Sequence, residues 1–431
     1  MSGSFINSAS SNSSASSISN TVCLWQQVQE KVLDWQQDLL RAQPWERKIL
    51  LETIMRGVGA ETLISDQLID TASLNGQPMS RYQEQEVTEE ELVFLRKWRD
   101  QELQLGNIER VAWSTGIIIS RLFTIPKSSG GWRVIHSLVQ PNKYFIKRRF
   151  HMDTVSLVRK MWSGRPWGVK IDIKDAFRHL MLAQEIRNMF CFEIEGELFR
   201  MVALPFGWTL SPFYWNLVSD QIKRWMRELG IIGMVYVDDI LILGNSKEQT
   251  DLQGRLLLLK LQAMGLSVNL AKSCLEAAQE VEFLGYIINL KAKTFSICKA
   301  KVAKIRHLAA RELKATLTSR KRIARLLGTL QGAREALPWL DAMTSRTYRW
   351  MYVNSGSQNW RELTISWNCL KKEFRYWSSL KRWQATSHFV EDQEMLVRDT
   401  VIGSSDASTA GYSLSAKRMI SGEQLFHIEG Q

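Results

Sequence analysis

The stretch that most constrains the fold is Met234-Val-Tyr-Val-Asp-Asp-Ile-Leu-Ile-Leu-Gly244, apolar and largely β-branched around one pair of carboxylates, Asp238 and Asp239. Runs of this kind, bounded by turn residues, read as buried strands. An unpaired carboxylate in a closed core is strongly disfavoured. The pattern therefore makes sense if both acids sit at the tip of a tight hairpin and face something cationic. A hard ion such as Mg²⁺ takes carboxylate oxygens and needs few protein ligands. The competing reading is a surface Asp-Asp turn between ordinary strands, and the motif alone leaves both open.

At 431 residues the chain has room for two to three domains. Its formal net charge of +12 points to an acidic polymer as partner. The five cysteines are scattered, with no CxxC pair and no Cys/His cluster. That argues against zinc and for a reducing compartment, hence an intracellular protein, cytoplasmic or nuclear. No apolar run reaches the ~18 residues of a membrane span, and no secretory signal is evident, so no membrane partner is expected.

Residues 1–20 are dominated by Ser and Asn and read as a disordered leader. Residues 21–104 read as a helical region, with Leu24, Val28 and Val32 as one stripe and Ile49, Leu50 and Ile54 as another. Thr88 before three acids opens a helix running to about Leu103. Leu122–His136 is a hairpin turning at Ser-Ser-Gly-Gly, with Lys127 and Arg133 beside the turn as candidate polyphosphate contacts; solvated cations are the alternative. Val169–Ile173 alternates as a strand with Asp172 on the face opposite Ile171 and Ile173, followed by Asp175, Ala176 and Phe177. Glu195-Gly196 is a two-residue hairpin turn. Leu204–Pro212 leads into a helix, and Gly207 there would let backbone approach a ligand closely.

Ser246–Gln249 has capping-box spacing for a leucine-rich helix that stops at Gly265. Leu266–Leu270 and Val281–Asn289 are strand candidates, with Lys272 between them. Residues 299–350 hold thirteen Lys and Arg against three acids. Arg320, Lys321 and Arg325 lie off the apolar face formed by Ile323, Leu326, Leu327 and Leu330, which suits contact with a phosphate backbone. Val401–Leu414 reads as a strand ending at Asp406 and a second strand.

A small antiparallel sheet would bring Asp172 to Asp238 and Asp239. Three such acids can hold two metal ions for an in-line displacement at phosphorus. The ordered series of Lys/Arg hairpin, Asp-x-x-Asp-Ala-Phe, Leu-Pro-Phe-Gly-Trp-x-x-Ser-Pro, Tyr-Val-Asp-Asp, Lys and Phe-Leu-Gly resembles the motifs of reverse transcriptases. That resemblance implies an α+β right-hand polymerase: fingers and palm at 105–290, a helical basic thumb and connection at 291–398, and the helical N-terminal region before them.

It further implies two Mg²⁺ ions, with Mn²⁺ as an alternative, on Asp172, Asp238 and Asp239. Lys127, Arg133, Asp175, Ala176, Phe177, Phe206, Gly207 and Lys272 would contact the nucleotide. Phe283, Leu284 and Gly285 would form a primer grip. Phe177 would be the steric gate that excludes a 2′-hydroxyl. The implied partners are deoxynucleoside triphosphates and a primed RNA or DNA template; oligomeric state is left open.

Phe150–Thr154, Arg320–Gly332, Leu337-Pro338 and Trp367–Leu380 resemble the DIRS-like (tyrosine-recombinase) retrotransposon group. Residues 399–431 resemble the start of a ribonuclease H domain, with Asp406 its first metal ligand; the remaining residues are too few to complete that fold, and no such activity is expected. His136 and Ser137 depart from the family pattern, which commonly has an Asp there. No protease, integrase or recombinase segment is evident. A catalytically silent nucleic-acid-binding relic of a transposon polyprotein is the alternative function.

Overall fold

Alternation in Val169–Ile173 puts Val169, Ile171 and Ile173 on one face, where all three are fully buried. In the computed structural model this strand, Trp167–Asp172, lies inside a four-stranded antiparallel sheet. The order is Ile232–Tyr236, Asp239–Gly244, Trp167–Asp172, Cys274–Ala278. The structure describes residues 23–62, 88–114, 116–127, 130–354, 359–365, 368, 370–381, 385–389, 401–407, 412–418 and 424–430. Two units are distinguished, one of Met1–Phe150, Asp175–Gln221 and Leu261–Ser267, the other of His151–Lys174, Ile222–Lys260 and Val268–Gln431.

The sheet belongs to the second unit, and both its faces are covered. On one face helix Lys247–Ala263 passes so close at Gly254 that a Cβ there would lie 2.9 Å from Val169 Cγ1. Ser246 caps this helix as expected, its hydroxyl accepting from Gln249 N–H at 3.2 Å. On the other face Gly168 admits Leu290 and Val281, whose side chains would meet a Cβ at 2.9 and 3.0 Å. Val281 belongs to, and Leu290 directly follows a strand of, a second antiparallel sheet of order Glu280–Phe283, Tyr286–Asn289, Thr294–Ile297, Thr386–His388. Its core continues through helices Lys299–Lys314, Arg320–Gln331, Ser345–Val353 and Leu370–Ser378 to Trp350 and Trp377.

Two buried carboxylates tie these helices together without being left unpaired. Glu312 is held by Arg311 and Arg322 at 2.9 and 3.0 Å. Glu373 accepts from the N–H groups of Arg346 and Thr347 at 2.9 and 3.0 Å, where the first turn of helix Ser345–Val353 leaves donors open. Asp153, in the Phe150–Thr154 motif, takes Val235 N–H at 3.1 Å and so covers part of the sheet's open edge at Ile232–Tyr236. Val401–Ala407, Tyr412–Arg418 and Gln424–Gly430 form a separate antiparallel meander.

The first unit is built on aromatics: Phe145, Phe190 and Trp208 meet with ring centroids 5.0 to 5.5 Å apart. Around them lie helix Glu89–Gln104, with Thr88 at its N-cap as expected and Glu91 closing a capping box with it, and a three-stranded sheet of order Ile108–Arg110, Glu197–Met201, Cys191–Ile194. The expected hairpin is present, Leu122–Pro126 pairing antiparallel with Trp132–His136.

Several expectations are corrected. Leu24, Val28 and Val32 do not share one helix: the chain breaks between Leu24–Gln29 and Val32–Asp38, and Trp35 and Leu39 are buried in the second piece. Leu266–Leu270 is no strand, making only the bridge Val268–Ile173. Cys274–Ala278 is one. Val281–Asn289 is not one strand but two, folded at Leu284 and Gly285, both with positive φ (50° and 76°). Residues 1–20 lie outside the described residues, as does Trp367 of the Trp367–Leu380 stretch.

Gly233 is where the Asp-Asp hairpin tolerates nothing larger, since a Cβ would stand 2.2 Å from the Leu241 carbonyl oxygen. Gly233→Ala should cost about 1–3 kcal/mol through overpacking. Urea denaturation checks this, a midpoint equal to that of the wild type being the contrary result.

Candidate active site

The antiparallel register does the first part of the assembly. Asp172, the last residue of its strand, pairs directly with Asp239, the first residue of the next. Tyr236 pairs with Asp239, so Val237 and Asp238 are the two loop residues between them. Val237 has φ of 54°, a region where a β-branched side chain costs on the order of 1–3 kcal/mol. The turn is thus a strained one, held by buried strands on either side, and it places Asp238 beside the other two acids.

Backbone hydrogen bonds lock the arrangement. Ile173 N–H donates to the Asp238 carbonyl at 2.7 Å, and Asn269 N–H to the Asp172 carbonyl at 2.8 Å. Asp172 N–H donates to Ser273 Oγ at 3.0 Å, and that hydroxyl donates on to the Asn269 carbonyl at 2.8 Å. The 269–273 turn therefore carries Lys272 to the carboxylates, where its charge acts on Asp238. Asp172 is 5% exposed, so its charge is in poor contact with water.

Burial pushes the Asp238 carboxyl above its ordinary value; Asp239 and Asp172 push the same way, while a backbone hydrogen bond and Lys272 oppose them. Lys170, one pleat inward from Asp172, puts its Nζ 2.9 Å from Asp239 Oδ1. Among the described residues no three His, Cys, Asp or Glu side chains are gathered closely enough to chelate an ion as they stand. The donor set nevertheless fits a hard divalent ion: carboxylates only, mutually repulsive, with lysines supplying part of the missing positive charge.

A cleft of about 360 Å³ opens beside Asp239, lined also by Lys170, Lys272, Cys274, Leu284 and Gly285. Leu284 and Gly285 thus reach the same cleft as a catalytic candidate. Phe283 does not: it is fully buried in the core, because it ends the strand before the turn. It anchors the turn, which corrects its expected place in the contact surface.

In the first unit Asp175 takes a left-handed conformation (φ 46°) and starts the short turn Ala176–His179. Phe177 is buried, with its ring centroid 4.8 Å from that of Phe206, which is 56% exposed. Gly207 has φ of 93°, and a Cβ there would lie 3.6 Å from the His136 carbonyl oxygen. Asn142 clamps this loop, donating to the Gly207 carbonyl and accepting from Thr209 N–H, both at 2.9 Å. Lys127 and Arg133 are exposed on their hairpin.

On helix Arg320–Gln331, Lys321 and Arg325 are exposed, and the Arg320 guanidinium lies 4.2 Å from the Trp360 ring centroid. Asp406 lies in strand Val401–Ala407 opposite Ser413. Sequence reasoning missed Lys170, Ser273, Asn142 and Trp360. Only Lys170 carried a signal, sharing a strand face with Asp172.

Residues 125–288 match the family model described as reverse transcriptase (RNA-dependent DNA polymerase). The chain is 28% identical over 260 residues to the Gag-Pol polyprotein of Rous sarcoma virus subgroup C (strain Prague), covering 58% of this chain and 15% of the polyprotein. It is 22% identical over 241 residues to the transposon Tf2-3 polyprotein of Schizosaccharomyces pombe, covering 54% of this chain and 17% of that one. It therefore spans less than a fifth of either polyprotein. A foamy viral protease–reverse transcriptase solved with double-stranded DNA is similar with TM-score 0.58 and 16% identity, over 92% of this chain and 67% of that one. The same viral protein solved with an RNA/DNA hybrid is similar with TM-score 0.56 and 17% identity, over 93% and 52%.

The fold is that of a right-hand polymerase, α+β in class. More particularly, residues 125–288 are similar to reverse transcriptases, and the chain is similar over part of its length to segments of retroelement polyproteins.

Because the Asp238 carboxyl lies above its ordinary value of 3.8, the folded chain keeps a proton that the unfolded chain has released. Stability without divalent ions should then fall as pH rises from 3.8 through the raised value. Asp238→Asn should remove this decline and melt a few degrees above the wild type at neutral pH. Thermal denaturation in EDTA measures both; a lower melting temperature for the variant contradicts the assignment.

Proposed function

We propose that this chain is an RNA-directed DNA polymerase that extends a primer 3′-hydroxyl with deoxynucleoside triphosphates on an RNA or DNA template. The observation that carries the reading is the register that opposes Asp172 to Asp239 with Asp238 in the intervening turn. Phosphoryl transfer asks for positioning and charge neutralisation rather than a protein nucleophile. The site supplies just those.

Asp172, Asp238 and Asp239 would hold two Mg²⁺ ions, or Mn²⁺ in their place. Ions held there would supply the acidification of the primer hydroxyl and the charge to stabilise the leaving pyrophosphate. Lys272 balances charge at Asp238. Lys127 and Arg133, exposed cations beside a glycine turn, grip the triphosphate, and Asp175 and Ala176 contact it through the turn they begin. Phe177, braced by Phe206, is the steric gate against a 2′-hydroxyl, and Gly207 lets backbone approach the nucleotide. Leu284 and Gly285 hold the primer strand in the Asp239 cleft. The exposed face of Lys321 and Arg325, with Arg320 stacked on Trp360, tracks the template–primer backbone.

On the same reading residues 105–290 are fingers and palm and 291–398 thumb and connection. The Phe150–Thr154 motif, whose Asp153 braces the hairpin strand, and Arg320–Gly332 favour the DIRS-like group. The antiparallel meander that begins at Val401 favours a ribonuclease H-like start with Asp406 on its first strand.

Extension of a DNA primer on a poly-RNA template with Mg²⁺ tests the reading. The wild type should extend, and Asp238→Asn should lose on the order of 10³-fold in rate. Equal extension by both would overturn the assignment of the carboxylates. Binding of template–primer without extension by the wild type would instead indicate a silent relic. Phe177→Ala should raise ribonucleotide incorporation relative to deoxynucleotide on the order of 10-fold or more, read from single-nucleotide kinetics. An unchanged ratio removes Phe177 from the gate.

A further inference from the structure

We propose that Lys170 is a built-in counter-ion of the metal centre, one that competes with the divalent ion for Asp239 and so sets how much ion the polymerase requires. This rests on the metal-binding reading of Asp172, Asp238 and Asp239 given above. Lys170 shares a sheet face with Asp172, and its strand partner Leu241 follows Asp239 by two, so the ammonium lies diagonally beneath Asp239. The pair is 2.9 Å apart, with side-chain exposures of 20% and 19%. At that burial a single charge matters more than on an open surface.

Three carboxylates meet at the end of one sheet, and Asp238 is raised in part by the other two. Lys170 therefore stabilises the ion-free centre by occupying one of the three. An arriving dication meets both a positive charge and an oxygen already in use. Once displaced, the ammonium has alternative partners, since Glu280 and Glu282 line the same cleft. Lys170 is thus a positioning residue that acts through Asp239, poised between two sets of carboxylates.

The test is Mn²⁺ binding to the whole chain without nucleic acid, followed by electron paramagnetic resonance of the unbound ion and by calorimetry. Lys170→Met should bind Mn²⁺ about ten-fold more tightly than the wild type, and Lys170→Arg should restore wild-type affinity. In EDTA Lys170→Met should melt lower than the wild type, and saturating Mn²⁺ should close the gap. If the methionine variant does not fold, Lys170→Gln reports the same loss of charge. In an Asp239→Asn background the lysine substitution should leave affinity nearly unchanged, because the shared ligand is gone.

Unchanged or weaker Mn²⁺ binding by Lys170→Met or Lys170→Gln overturns the inference while leaving the metal centre intact, provided Asp238→Asn still abolishes binding. A wild type that binds no Mn²⁺ overturns both.

Discussion

Everything at the centre of this protein depends on one unfavourable pairing, Asp172 directly opposite Asp239 in neighbouring antiparallel strands. Like charges at that position destabilise a sheet. Here the sheet tolerates them because both of its faces are covered further in, by helix Lys247–Ala263 on one side and the 280–297 strands on the other. Ile171, Ile240 and Ile242 are completely buried, so slipping the register by one residue would turn strand side chains to the wrong face and undo that packing. The hydrophobic pattern thus holds the acids in place against their own repulsion.

Further strain is concentrated in the same few residues. Val237 is β-branched in a left-handed turn, Asp238 is half-buried among negative neighbours, and Asp172 is almost withdrawn from water. Such features persist only where surrounding structure over-determines them, and they cluster where chemistry is done. Lys170 and Lys272 offset part of the charge, and the deficit that remains is what a divalent ion would fill. The second cluster, Phe177 against Phe206 with Asn142 holding the Gly207 loop, is assembled by a different principle. It is aromatic packing and close backbone approach rather than charge.

Much of this was legible in the sequence because it is local. The Asp-Asp turn, the paired strands Leu122–Pro126 and Trp132–His136, and the Thr88 and Ser246 caps are each set by residues close in sequence, and all stand where expected. What escaped depends on distant partners. Lys170 looks like the polar half of an ordinary alternating strand until Asp239 is placed beside it. Cys274–Ala278 has little strand character of its own and is recruited by pairing with Trp167–Asp172, whereas Leu266–Leu270 makes one bridge, and its Asn269 N–H binds the Asp172 carbonyl. Phe283 was read as part of a contact surface, but a core side chain and a surface turn can sit one residue apart.

The most direct test of the account is where a divalent ion binds. Anomalous diffraction from crystals grown with Mn²⁺ should show manganese at bonding distance from carboxylate oxygens of Asp172 and Asp238, and no such peak in Asp238→Asn crystals. Manganese bound elsewhere, with these carboxylates still engaged only by lysines in an actively extending wild type, would contradict the claim that this sheet register builds the catalytic centre.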